Sequence, residues 1–246
     1  MKDGTSMTDS GYPRVMREWH RGTPLSESKV VHEGETTDVA VFLHTSQHRQ
    51  HSYLLKGRSI TFYTSTNSIF LPASKDATVA DVTDAASWYE LKVPLDSEIS
   101  IFADQLLVQL RSDWVLPQQT YKQGSLLAVA VQEFVDKATE GTFILPASNV
   151  ATCISFQKPP ILRHIIPFPL IPATFTELFQ PSATVSLESF SATKDFLVLQ
   201  TLDTVKSRFV FWEYKDDNQL WAFRGAEESK RIYFSLFVSL CYSRNW

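Results

Sequence analysis

His44, His48 and His51 stand in "HTSQHRQH" at successive spacings of four and three. On a helix that spacing brings three imidazoles to one face, a donor set suited to zinc. The segment, however, ends a β-forming run and contains Thr45 and Ser46. It also holds no carboxylate to act as base or to orient an imidazole. It reads as a solvated loop, and no metal ligand is assigned. "LRSDW" sets Arg111 and Asp113 beside Trp114. Two readings fit: a ligand-facing loop with the indole as a stacking platform, or a strand-end turn whose Asp caps backbone amides. The turn is favoured. In "SGYPR", Gly11 and Pro13 mark a turn on which Tyr12 is expected to pack. "KDD", Lys215 to Asp217, reads as a solvated hairpin tip.

Motifs with strong chemical signatures are missing from these 246 residues. A nucleophile elbow needs G-x-S-x-G, and no two glycines stand four positions apart. There is no P-loop, no H-E-x-x-H and no C-x-x-C. No catalytic, cofactor-binding or metal-binding residue is therefore assigned, and no cofactor is expected.

The elements that would position any site are mostly strands. "DVAVFLH" (38–44), "SITFYTS" (59–65), "WYELKV" (88–93) and "GSLLAVAV" (124–131) have β composition and bounded length. "EISIFADQLLVQLRSDW" (98–114) predicts two strands around Ala103 and Asp104. "DFLVLQTLDTVKSRFVFWEYKDD" (195–217) predicts a hairpin turning at Asp203, Thr204 and Val205. Its second arm is apolar on both faces, as in a strand buried between stacked sheets. Only "QEFVDKA" (132–138) predicts a helical turn. Asp104-Gln-Leu-Leu-Val-Gln109 and Asp195-Phe-Leu-Val-Leu-Gln200 echo each other at an offset of 91 residues, about two propeller blades of ~45. Many short strands with turns between them predict an all-β sandwich, barrel or propeller.

Composition narrows the function classes. The chain is 43% hydrophobic and 20% charged, within the globular range. A net charge of −4 offers no field for nucleic acid or an anionic membrane. The longest apolar run, Ile232 to Tyr242, falls short of the roughly 20 residues of a spanning helix. Cys153 and Cys241 form no disulfide framework, and the polar N-terminus carries no apolar signal core, so a cytoplasmic setting is expected.

Four segments, taken in order, resemble the prolyl oligopeptidase family of serine peptidases. They are "SMTDSGYPRVMREWHRGTPLSESKVVHEGETTDVAV" (6–41), "RSITFYTS" (58–65), "DQLLVQLRSDWVLPQQTYKQGSLLAV" (104–129) and "TVSLESFSATKDFLVLQTLDTVKSRF" (184–209). The resemblance implies part of that family's N-terminal seven-bladed β-propeller, about four blades of it, over residues 1–228. The family's propeller caps an α/β-hydrolase domain and restricts access to short peptides. Its Ser-Asp-His triad cleaves after proline and lies in the hydrolase, which these residues do not match. The expectation is a truncated, prolyl oligopeptidase-like chain that is inactive alone, though its family is serine-type endopeptidase. Peptides are expected as substrates only when a hydrolase domain is joined. The alternative is a stand-alone propeller that binds a protein partner.

The resemblance fails at two places. Between 144 and 175 lie six of the twelve prolines, one cysteine and no acidic residue, including "PPILRHIIPFPLIP". Leaving this stretch out joins Gly141-Thr142-Phe143 to Thr176, giving the family's usual link into its next blade, and shortens the echo to 59 residues. Three readings compete: a surface loop, a polyproline II arm docking a protein partner, or non-coding sequence read through. The third is favoured. A tail at 229–246 breaks from the family in the same way.

Overall fold

The computed structural model describes residues 6–71, 82–83, 87–117, 119–139 and 175–228. The insert up to residue 174, the tail from 229 and both cysteines lie outside them. The described residues are all-β apart from one α-helix and a 3-10 turn at Leu25–Glu27, and they fall into two compact units.

The first unit runs to Ser97 and includes the helical residues from Phe134 onward. β1 (Val15–Glu18) and β2 (Lys29–Glu33) pair antiparallel. β3 (Ala40–His48), β4 (His51–Ser59), β5 (Ser65–Phe70) and β6 (Trp88–Glu90) follow as a four-stranded antiparallel meander. Val41, Leu55, Ile69, Phe70 and Leu91 are buried in this unit. Leu55 and Ile69 are cross-strand partners on one face of the sheet, while Val41 and Phe70 lie on the other, so both faces carry buried residues.

The second unit holds Glu98–Glu133 and the described residues from 175 onward. β7 (Glu98–Phe102) and β8 (Gln105–Gln109) form a tight hairpin in which Ala103 takes φ +53°. β9 (Trp114–Val115) pairs with β10 (Thr120–Tyr121). β11 (Leu126–Ala130) then runs beside β8 and leads directly into α1 (Val131–Thr139). β12 (Thr176–Phe179) closes this sheet on the other side of β11, giving the order β12-β11-β8-β7. β13 (Val185–Ala192), β14 (Phe196–Asp203), β15 (Lys206–Lys215) and β16 (Leu220–Glu228) make a third four-stranded meander.

One core joins these last two sheets. Phe102, Leu107, Leu126, Ala128 and Leu178 pack with Leu197, Leu199 and Tyr214. β8 is buried on both faces from Gln105 to Val108, as the near-continuous apolar run implies. Three meanders of four strands are the unit from which radial β-propellers are built. The expected set of about four sheets appears here as three such sheets and the two-stranded ladder of β1 and β2.

Several sequence expectations change. Ser59–Ser65 is not one strand: Ser59 ends β4, Ser65 opens β5, and residues 60–64 are the connection between them, with Phe62 and Tyr63 at 74% and 81% exposure. Thr61 explains it: its hydroxyl accepts from the amides of Tyr63 (3.1 Å) and Thr64 (3.0 Å) and meets the Thr64 hydroxyl at 2.7 Å. Such local bonds favour a turn over a ladder. Tyr12 does not pack; it is 48% exposed. The echoed segments are equivalent, since β8 and β14 are each the second strand of a four-stranded sheet. Their sheets are consecutive along the chain, so the offset spans one sheet lengthened by the insert, not two. Helix α1 begins one residue ahead of the expected turn, and β11 takes the rest of "LLAVAV".

Candidate functional site

The histidine cluster lies on a β-hairpin, neither a helix nor a loop. His48 and His51 pair across a two-residue turn in which Arg49 takes φ +54°. Alternation and cross-strand pairing put all three histidines on one face. Four residues of strand nevertheless separate His44 from His48 by about 13 Å, too far to share a metal. The ring of His44 instead tilts against Phe42, with centroids 5.9 Å apart. Among the described residues no three His, Cys, Asp or Glu side chains group to hold a metal ion. No described helix is long and apolar enough to cross a membrane.

"LRSDW" is a capped turn. The Asp113 carboxylate accepts from the Gln123 amide at 2.8 Å and from Lys122 Nζ at 2.8 Å, and Lys122 holds it below the ordinary carboxylate range. Arg111 donates to Glu98 at 3.1 Å. Trp114 is 2% exposed and packs against Tyr121 and Phe175, so it offers no platform to a ligand.

Two polar clusters that sequence reasoning missed carry the chemistry of the described residues. In the first unit, Asp38 is buried just before β3. It accepts from Arg58 Nε at 2.7 Å and Nη2 at 3.0 Å, and from the Glu35 amide at 2.8 Å. The fork of guanidinium donors matches both carboxylate oxygens. Arg58 pulls the Asp38 pKa down. His32 Nε2 lies 3.1 Å from the Gly57 carbonyl, and burial lowers its pKa. Lys56, one residue before Gly57, sits 4.0 Å above the Trp88 ring, a cation–π arrangement.

In the second unit, Gln105 is 4% exposed at the start of β8. Its amide donates to Tyr214 Oη at 2.9 Å and to Asp104 at 3.1 Å, and its carbonyl accepts from Trp221 Nε1 at 3.3 Å. Gln219 donates to the other Asp104 oxygen at 3.3 Å. Burial, aided by Asp104, pushes the Tyr214 phenol well above its ordinary value. These groups join the β7–β8 turn to the far end of the β15–β16 hairpin. Their work is positional: every member is spent on another. Tyr214→Phe deletes one acceptor for a buried amide, and we expect a loss of about 1–2 kcal/mol, read from the urea midpoint at unchanged slope.

No family model and no curated protein matches the sequence. Among solved structures, the fold is similar to that of a post-proline cleaving enzyme from Rickettsia typhi. The TM-score is 0.67 at 19% identity, over 93% of this chain and 27% of that one. A structure from an analysis of two prolyl endopeptidases aligns at a TM-score of 0.44 and 13% identity, over 93% of this chain and 33% of that one. The first likeness shows a shared fold: the all-β, four-stranded-sheet architecture occurs within a post-proline cleaving enzyme. The chain spans about a quarter of that enzyme's length.

Proposed function

We propose that these 246 residues are the blade-bearing portion of a prolyl oligopeptidase-like serine peptidase. They form part of the propeller that gates substrate, and they leave the chemistry to an α/β-hydrolase domain outside them. The observation that carries this reading is the fold likeness to the Rickettsia typhi enzyme over 93% of the chain. The four family-like segments in order, and the impossibility of writing G-x-S-x-G within these residues, support it. Fold alone does not fix function, so two experiments test the reading. The purified chain is expected to give no turnover of a proline-containing peptide amide above buffer; hydrolysis blocked by a serine-directed reagent would overturn it. The genomic reading frame around this sequence is expected to encode a G-x-S-x-G serine peptidase domain. A frame without one refutes the proposal. The setting proposed is cytoplasmic, supported by two cysteines without a disulfide framework.

A further inference from the structure

β1 and β2 form a two-stranded sheet of their own. A lone two-stranded ladder is marginal in water and depends on what it packs against. Here that is the four-stranded meander of the same unit. Just ahead of β1, the Pro13 carbonyl accepts from the Val41 amide at 3.0 Å. From β2, His32 reaches across to β4. Its Nε2 stands 3.1 Å from the Gly57 carbonyl, which can only accept, so the ring donates. Val31, the preceding residue of β2, is buried. A group that titrates near neutral pH therefore sits in the joint between ladder and meander.

Protonation leaves the bond to Gly57 intact, because Nε2 keeps its hydrogen. What changes is the charge in the joint. From β4 the ring meets the fields of Lys56 and Arg58, the two neighbours of Gly57. Asp38, ahead of β3, opposes them, but its carboxylate is already held by Arg58 and the Glu35 amide. β1 places the uncharged Met16 opposite His32. On β2 itself Lys29 and Glu33 are charged, and Glu33 is engaged by Arg14 at 2.6 Å. We propose that His32 is a proton-operated latch: neutral, it holds the β1–β2 ladder against β4; protonated, it loosens the ladder and leaves the meander in place. Burial lowers the His32 pKa and both cations add to the fall, while the Gly57 bond and Asp38 oppose it. A ring freed from the joint thus takes up its proton before a docked one does. Docking is at full strength above the ordinary value of 6.5 and is lost as pH falls through the docked value. Asp38 stays ionised in this window, since its own pKa is lowered from 3.8.

Amide exchange in the full chain reads the latch, once rates are corrected for their intrinsic pH dependence. Between about pH 7.5 and about pH 5, protection in β1 and β2 is expected to fall by roughly three- to tenfold relative to β4 and β5. His32→Gln keeps an N–H donor that does not titrate, and with it the relative fall is expected to vanish. Ladder protection that keeps pace with β4 and β5 in the unsubstituted chain overturns the proposal. So does an undiminished fall in His32→Gln. An NMR titration of the His32 ring in the unsubstituted chain tests the latch without any variant. Its midpoint is expected below 6.5, and a midpoint at or above that value overturns the proposal.

Discussion

Gly57→Val will destabilise the first four-stranded sheet by about 3 kcal/mol or more. Gly57 lies mid-strand in β4, opposite Phe42 on β3 and Asn67 on β5. A Cβ there would stand under 3.0 Å from the Phe42 ring and from the Thr66 carbonyl oxygen. The ring can swing aside. The carbonyl cannot, because it belongs to the ladder that binds β5 to β4. Relief therefore needs the two strands to part. That loss is large against the 5–15 kcal/mol by which folded domains are held. Gly22 makes the control. It takes φ +91° but has nothing within 4 Å of a built Cβ. Gly22→Ala should cost only the left-handed strain, about 1 kcal/mol. A urea titration of both variants tests the contrast; equal midpoints would show that crowding at Gly57 is unimportant.

Asp38→Asn is the second large effect, about 2–4 kcal/mol near neutral pH. Breaking a buried ion pair at one partner strands the other charge and typically costs 3–5 kcal/mol. Here the Arg58 side chain is one-third exposed, so water recovers part of that loss. An amide in place of the carboxylate can still accept from the Glu35 amide, but it cannot serve both guanidinium donors. The effect also carries a pH signature. The Asp38 pKa is lowered from 3.8 by its bonds to Arg58, so the unfolded chain takes up this proton before the folded one does. The pair's contribution is complete above about pH 5 and fades as pH falls below the unfolded value and through the folded one. Wild type and Asp38→Asn should therefore converge in stability in acid. His32, whose pKa is lowered by burial, weakens both proteins as pH falls and largely cancels in the difference. A gap that stays constant down to about pH 2 would show that the carboxylate charge contributes nothing.

Where sequence and structure agree, a single hydropathy rule was enough. The β14–β15 hairpin was legible because both its faces are apolar and Thr204 takes φ +59° at the turn. The β7–β8 hairpin was legible for the same reason. The turn at residues 60–64 was misread as strand because Ile60, Phe62 and Tyr63 are strong β formers, while the deciding bonds come from one threonine hydroxyl. β4 was overlooked because Lys56, Gly57 and Arg58 look unlike a strand. Each has a specific partner instead: the Trp88 ring, a close backbone and Asp38. The two polar clusters were illegible in principle. Asp38 and Arg58 lie 20 residues apart, and Gln105 and Tyr214 lie 109 apart. No local pattern links residues so distant, and each is individually an ordinary surface type.

The position of β12 bears on the chain's birth. β11 is fully apolar from Leu126 to Ala130 and has β8 on one side from the outset. Its other edge waits for Thr176–Phe179. About 45 residues separate the two, so a ribosome adding roughly 5–20 residues per second leaves that edge open for about 2–9 seconds. An apolar strand edge exposed that long is where a nascent chain pairs with the wrong neighbour. Crowded translation is therefore a condition under which this sheet is vulnerable.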